Sequence, residues 1–238
     1  MVNTHFRSVV VAAALICAGV GAEPALAGVT HATKTVYHPV RGRDAVAMLA
    51  YLFRNPVDGE EARLASLLSQ MRITALDVAA GTKPGQPANA AGCHISAFGM
   101  KARFTITLPK AVDERRLDRK TRKAWRAFVV TARKHEQTHL AINLELYRTI
   151  DREIRKLSTT GSCRRLGARF DPIIDRAIKR AFAKHTALDR RDTRRAPTLP
   201  IFRLAGLSSS DIKAFHADSV QMGHSVSALL LRREFRNR

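Results

Sequence analysis

Acidic residues are scarce in this chain: 20 Asp and Glu stand against 41 Lys and Arg over 238 residues, a formal net charge of +21. That imbalance disfavours cationic partners and favours anionic surfaces or polymers. In an envelope compartment these would be lipid head groups, lipopolysaccharide or acidic polysaccharide. Aromatic residues are also few, with a single tryptophan, Trp125. There is no zinc-finger spacing and no aromatic-rich basic strand to read bases, so a nucleic-acid partner is disfavoured. Long apolar runs are missing too. The one candidate, residues 9–22 (VVVAAALICAGVGA), is too short to span a bilayer comfortably. It follows His5 and Arg7 and precedes Ala25 and Ala27 in a small-x-small pattern. We therefore expect 1–27 to be a signal peptide and the protein to be exported, periplasmic or extracellular, without a membrane anchor.

Cysteine is nearly absent. Cys17 lies in the apolar run, and Ile16 before it does not fit a lipoprotein site. That leaves Cys93 and Cys163, which in an exported chain are most simply one disulfide. Thiolate metal ligation is the alternative, but it would require closer spacing and a reducing compartment.

Three segments are expected: the signal 1–27, a domain over 28–206, and a basic extension over 207–238, helical or mobile. Within the domain, 28–33 reads as a linker, 34–40 as a strand, 42–55 as a helix begun near Asp44, and 70–80 as a strand. A turn-rich loop follows at 81–92, then strand character from Cys93 to a stop at Pro109. The strongest helical signal covers 112–157. Asp113, Glu114 and Asp118 crowd its start, and Arg155 and Lys156 its end. Phe128, Ala132, His135, His139, Ile142, Leu146 and Ile150 recur at steps of three and four, which directs one face at the core. A second helix is expected over 171–187, and 189–200 reads as a basic loop with two prolines. The fold class that results is α+β. A small, mostly antiparallel sheet packs on a long central helix, in a zincin-like arrangement, and further helices follow.

That helix carries the chemistry. In RKHEQTHLAIN (133–143), His135, Glu136 and His139 form H-E-x-x-H. Residues four apart lie about 40° from each other around a helix, so both imidazoles can reach one metal ion. Glu136 is placed to act on a metal-bound water as general base, and Zn2+ is the expected cofactor. The plainer reading makes both histidines hydrogen-bonded residues at the edge of the core. A third ligand is not fixed by the motif. Glu145, six residues past His139, turns roughly 600° away along an unbroken helix and is rejected. His185, Asp189 and Asp192 are the candidates further on, and His94 is another.

The order of features resembles a family of secreted bacterial proteins catalogued as a domain of unknown function and described as zinc-dependent proteases. The resemblance rests on VYHPVRG, on a cysteine ahead of FTITLP, on Trp125 ten residues before HEQTHL, and on Cys163 beyond it. It covers roughly 35–195. It implies a zinc peptidase acting on a peptide or protein substrate, with a sheet strand near FTITL capturing the extended peptide at its edge. Family members usually carry a later segment resembling Y-D-x-x-T-x-H-G, whose His would complete the site. Here the region is LDRRDTRRAP, with Asp189 at the Asp position and Arg194 or Arg195 in place of the His. A guanidinium cannot ligate zinc. His185 or Asp189 must then substitute, or the protein is an inactive member that binds anionic envelope components through its basic surface.

Overall fold

The computed structural model describes residues 28–57, 64–81, 92–160 and 163–208. The expected signal and almost all of the basic extension lie outside these residues.

Strand β1 (Val29–Val40) is followed by helix α1 (Ala45–Arg54), whose N-cap Asp44 accepts a hydrogen bond from the Ala47 amide at 2.8 Å. Strands β2 (Ser66–Ala80) and β3 (Cys93–Ala111) come next. The long helix α2 (Arg119–Arg155) leads into the two-residue strand β4 (Ser158–Thr159). Helices α3 (Arg164–Gly167), α4 (Phe170–Arg195) and α5 (Pro200–Leu204) complete the described chain. The sheet order is β1-β3-β2, with β4 added to the start of β3. β3 pairs antiparallel with β2 and β4 and parallel with β1, so the mixed sheet is mostly antiparallel.

Several boundaries differ from those the sequence suggests. β1 begins at Val29, within the expected linker, because β3 offers it a continuous parallel partner from Met100 to Ala111. β3 runs past Pro109. Its pairing with β2 ends at Thr107, so a residue without an N–H is tolerated beyond that point. The FTITL segment is not an edge. Phe104 to Thr107 pair with Ser66 to Ser69 on one side and with Thr33 to Val36 on the other. α2 starts at Arg119, where the Asp118 carboxylate accepts from the amides of Lys120 (2.8 Å) and Thr121 (3.0 Å).

The largest departure is in α4. It continues through Arg195, so the expected loop at 189–200 is helical over its first seven residues. No apolar periodicity marks those residues, because they do not pack into the core.

Strand alternation sets the sheet's two faces. Ala102, Phe104, Ile106 and Leu108 are buried, while Lys101 and Arg103, which alternate with the first of them, are exposed. Ile142, Leu146, Tyr147, Ile150 and Ile154 of α2 cover the apolar face together with Ile174 and Ala177 of α4. The Tyr147 hydroxyl also meets that of Ser69 on β2 at 2.7 Å. A second apolar cluster gathers Trp125 and Phe128 from the other half of α2 with Met48, Leu49 and Leu52 of α1 and Phe202 of α5.

Cys93 and Cys163 are disulfide-bonded, as expected. Gly92 permits the close approach beside them, since a Cβ there would lie 1.9 Å from the Thr159 carbonyl oxygen. The bond closes a segment of 70 residues that contains all of α2. Replacing Cys93 with Ser should therefore lower unfolding stability by about 2–4 kcal/mol, read as an earlier urea midpoint with a steeper slope, because the unfolded chain is released from its cross-link.

Candidate metal centre

Between the two apolar clusters α2 carries a polar stretch. One cluster reaches back only to Phe128 and the other begins at Ile142. His135 and His139 sit in that gap, each partly exposed, and Glu136 beside them is buried. The expectation that both histidines face the core is thus corrected: they lie at the seam between two cores.

α4 crosses the same gap. Its contribution to the first cluster ends at Leu188, and the second resumes at Ala196. Asp192 meets His135, and His185 meets His139, so the two helices run antiparallel. His185, Asp189 and Asp192 follow one another at i, i+4 and i+7, one face of a continuous helix.

Three atoms converge. The Nε2 atoms of His135 and His139 lie 2.9 Å apart, and Asp189 Oδ1 lies 2.9 Å from His139 Nε2 and 3.3 Å from His135 Nε2. An ion with four tetrahedral bonds of about 2.0–2.1 Å separates its ligand atoms by about 3.3 Å, so this triangle has nearly the dimensions a metal requires. His135, His139 and Asp189 are the described residues that could hold a metal ion.

The outer contacts agree with this donor set. His135 Nδ1 is 2.9 Å from Asp192 Oδ2, and Arg191 braces the same carboxylate through Asp192 Oδ1 at 2.8 Å. His139 Nδ1 is 2.6 Å from Nδ1 of the buried His185. Both ligand histidines can thus donate Nδ1–H outward while Nε2 keeps a lone pair for the metal. Such partners fix the tautomer and the orientation of a metal-ligating histidine.

The charges are strongly coupled. Burial disfavours a charged His135, but its hydrogen bonds to Asp189 and Asp192, with the nearby charge of Glu136, outweigh burial and raise its pKa to about 9. Burial also disfavours a charged Asp189, yet bonds from His135 and His139 hold its carboxyl well below the usual carboxylate range. Asp192 is burdened by burial and lowered on balance by Arg191 and His135. Without a metal, a protonated His135 therefore bridges two carboxylates.

The other candidates lie elsewhere. Glu145 is exposed and paired with Lys184 Nζ at 2.6 Å, so it contributes nothing to the cluster. His94 is on β3, within 3.4 Å of the Gly81 carbonyl. Arg194 and Arg195 are exposed at the end of α4. His185 and Asp192 support the ligands; reading residues 189–200 as a loop concealed that Asp189 and Asp192 continue the helix face of His185. Continuing the helix by two turns would have shown all three α4 residues on one face.

The donor set makes separable predictions. Asp189→Ala should abolish metal binding, Asp192→Asn should weaken it by about 10–100-fold, and Glu145→Ala should leave it unchanged, each read by titration with zinc as the probe. His135 has its pKa raised from 6.5 to about 9 in the metal-free protein, so its pairing stabilises the fold below about pH 6.5 and is lost as pH rises through 9. Metal must displace that proton. Zinc binding should release protons into weak buffer and tighten by up to about tenfold per pH unit between roughly pH 6.5 and 9.

Residues 35–195 match the profile of a family described as "Bacterial protein of unknown function (DUF922)". No curated protein and no solved structure matches the chain. The match starts within β1 and ends on the last residue of α4, so it takes in β2, β3, β4, the second half of β1, the disulfide and every residue of the centre. It covers well over half of the sequence, and the chain belongs to this bacterial family, DUF922, whose function is not known.

Proposed function

We propose that this protein is an exported zinc-dependent peptidase that hydrolyses peptide bonds with a metal-activated water. The observation that carries the reading is the convergence of His135 Nε2, His139 Nε2 and Asp189 Oδ1, with Glu136 adjacent in the sequence and buried. Two imidazoles and one carboxylate form a donor set suited to zinc, and catalytic zinc sites keep three protein ligands with a further position for water. A zinc ion held there would supply a Lewis acid and lower the pKa of a bound water to about 7. The residues of the chain do the rest. His135 and His139 present neutral Nε2 atoms because Asp192 and His185 take up their Nδ1–H groups. Glu136 accepts a proton from the attacking water and delivers it to the leaving amine, so one carboxylate serves as base and then as acid. The side chains of His135, His139 and Asp189 keep 23%, 13% and 24% of their surface, which leaves the cluster open to a substrate from one side. The disulfide and the amino-terminal 27 residues support export, since disulfides persist in oxidising compartments.

A second reading keeps the fold and the centre but not the activity. It is favoured by Arg194 and Arg195, which stand where the resemblance places a histidine. One variant separates the two. Glu136→Gln should bind zinc as the parent does while losing peptide hydrolysis by at least about a hundredfold, the scale of a general base. Hydrolysis that survives this change would overturn the peptidase reading. A parent that binds zinc and cleaves no peptide in a degenerate library would establish the second.

A further inference from the structure

The sheet face turned away from the helices carries a charge pattern that folding alone does not explain. Register places Arg72 of β2 directly opposite Lys101 of β3, with Gln70 opposite Arg103 in the next pair on the same face. On the other side of β3, Lys34 of β1 lies opposite Thr105. All four cations are exposed, and none forms an ion pair among the described residues. Like charges directly across a strand pair destabilise a sheet, so Arg72 and Lys101 oppose its formation. By register the nearest carboxylate on this face is Asp77, opposite Ala97. Four residues separate Ala97 from Lys101, about 13 Å along the strand. Two aliphatic side chains share the face: Leu68, opposite Thr105, is 53% exposed, and Val36, opposite Thr107, is 37% exposed.

The geometry points to this face as a docking surface for an anionic lipid bilayer. Cations spread over all three long strands of the face meet acidic head groups, to which basic side chains near a membrane surface are attracted. Leu68 and Val36 would enter the interfacial layer beneath them, where apolar side chains are favoured. A soluble polyanion would engage the cations but offer nothing to the two aliphatics. No helix among the described residues is long and apolar enough to cross a membrane. This inference does not depend on the metal centre, which lies in the helical layer on the opposite side of the sheet.

The test is co-sedimentation of the full chain with vesicles of phosphatidylcholine mixed with phosphatidylglycerol, beside pure phosphatidylcholine. Lys101→Glu/Arg103→Glu is compared with Arg176→Glu/Arg180→Glu on the exposed side of α4, an identical change in net charge. The sheet variant should lose about tenfold or more in affinity for the anionic vesicles, and the helix variant no more than about twofold. Equal losses would overturn the proposal, because net charge would then be the whole effect. Binding of soluble polyphosphate to the parent without binding to vesicles would overturn it as well. Misfolding is controlled by Lys101→Glu alone, whose carboxylate faces Arg72. That variant should melt at or above the parent's temperature and still bind the vesicles several-fold more weakly. Unchanged binding by a stable Lys101→Glu would also count against the surface.

Discussion

The antiparallel contact of α2 and α4 across a polar gap is the interaction on which the site depends. α2 buries aliphatic and aromatic residues on either side of the gap, α4 packs against the sheet on one side, and the chain just past α4 joins α1 and α5 on the other. The two clusters fix the axial register of the helices. Only with that register does His135 meet Asp192 while His139 meets His185 and Asp189. Polar groups at such a seam lose part of their hydration, and leaving any one without a partner would cost about 1–3 kcal/mol. His135, His139, His185, Asp189 and Asp192 meet much of that requirement through one another, and Arg191 adds two contacts to Asp192.

This arrangement accounts for what could and could not be read from the residues. The H-E-x-x-H turn was legible because α2 is apolar at regular steps on both sides of it, so a helix was certain to carry the motif. The disulfide was legible because the chain past residue 27 has only two cysteines. The far end of α4 was not. From Asp189 to Arg195 every residue except Thr193 is charged, and prolines follow at 197 and 200. Those residues are helical because the preceding turns, anchored by Ile174, Ala177 and Ala181, are already fixed in the core, and each further residue costs little once a helix is nucleated. A helix held by its neighbour's chemistry leaves no hydrophobic period to find. The central place of β3 was hidden for a related reason. FTITL has the composition of a strand, but composition does not say whether one partner or two will pair with it.

The scarcity of carboxylates gives the remaining ones particular weight. Around the seam Glu136, Asp189 and Asp192 face two histidines, whereas Glu145 is drawn aside by Lys184 and Asp192 is shared with Arg191. In a strongly basic chain, unpaired carboxylates would be captured by the many surface cations, and the centre would be emptied of ligands. Burial of Glu136 and the double histidine contact of Asp189 prevent that capture. Arg191 donates to both oxygens of Asp192, more closely to Oδ1, while Oδ2 also orients His135. The excess of arginine, which at first sight threatens a cation site, is thus held one layer away from it. There it restrains the carboxylate that orients a ligand, and does not compete for the ligand itself. The same logic separates the two faces of the molecule. Glu136, Asp189 and Asp192 stay in the helical seam, whereas Lys34, Arg72, Lys101 and Arg103 lie together on the outer face of the sheet, the nearest carboxylate by register being Asp77.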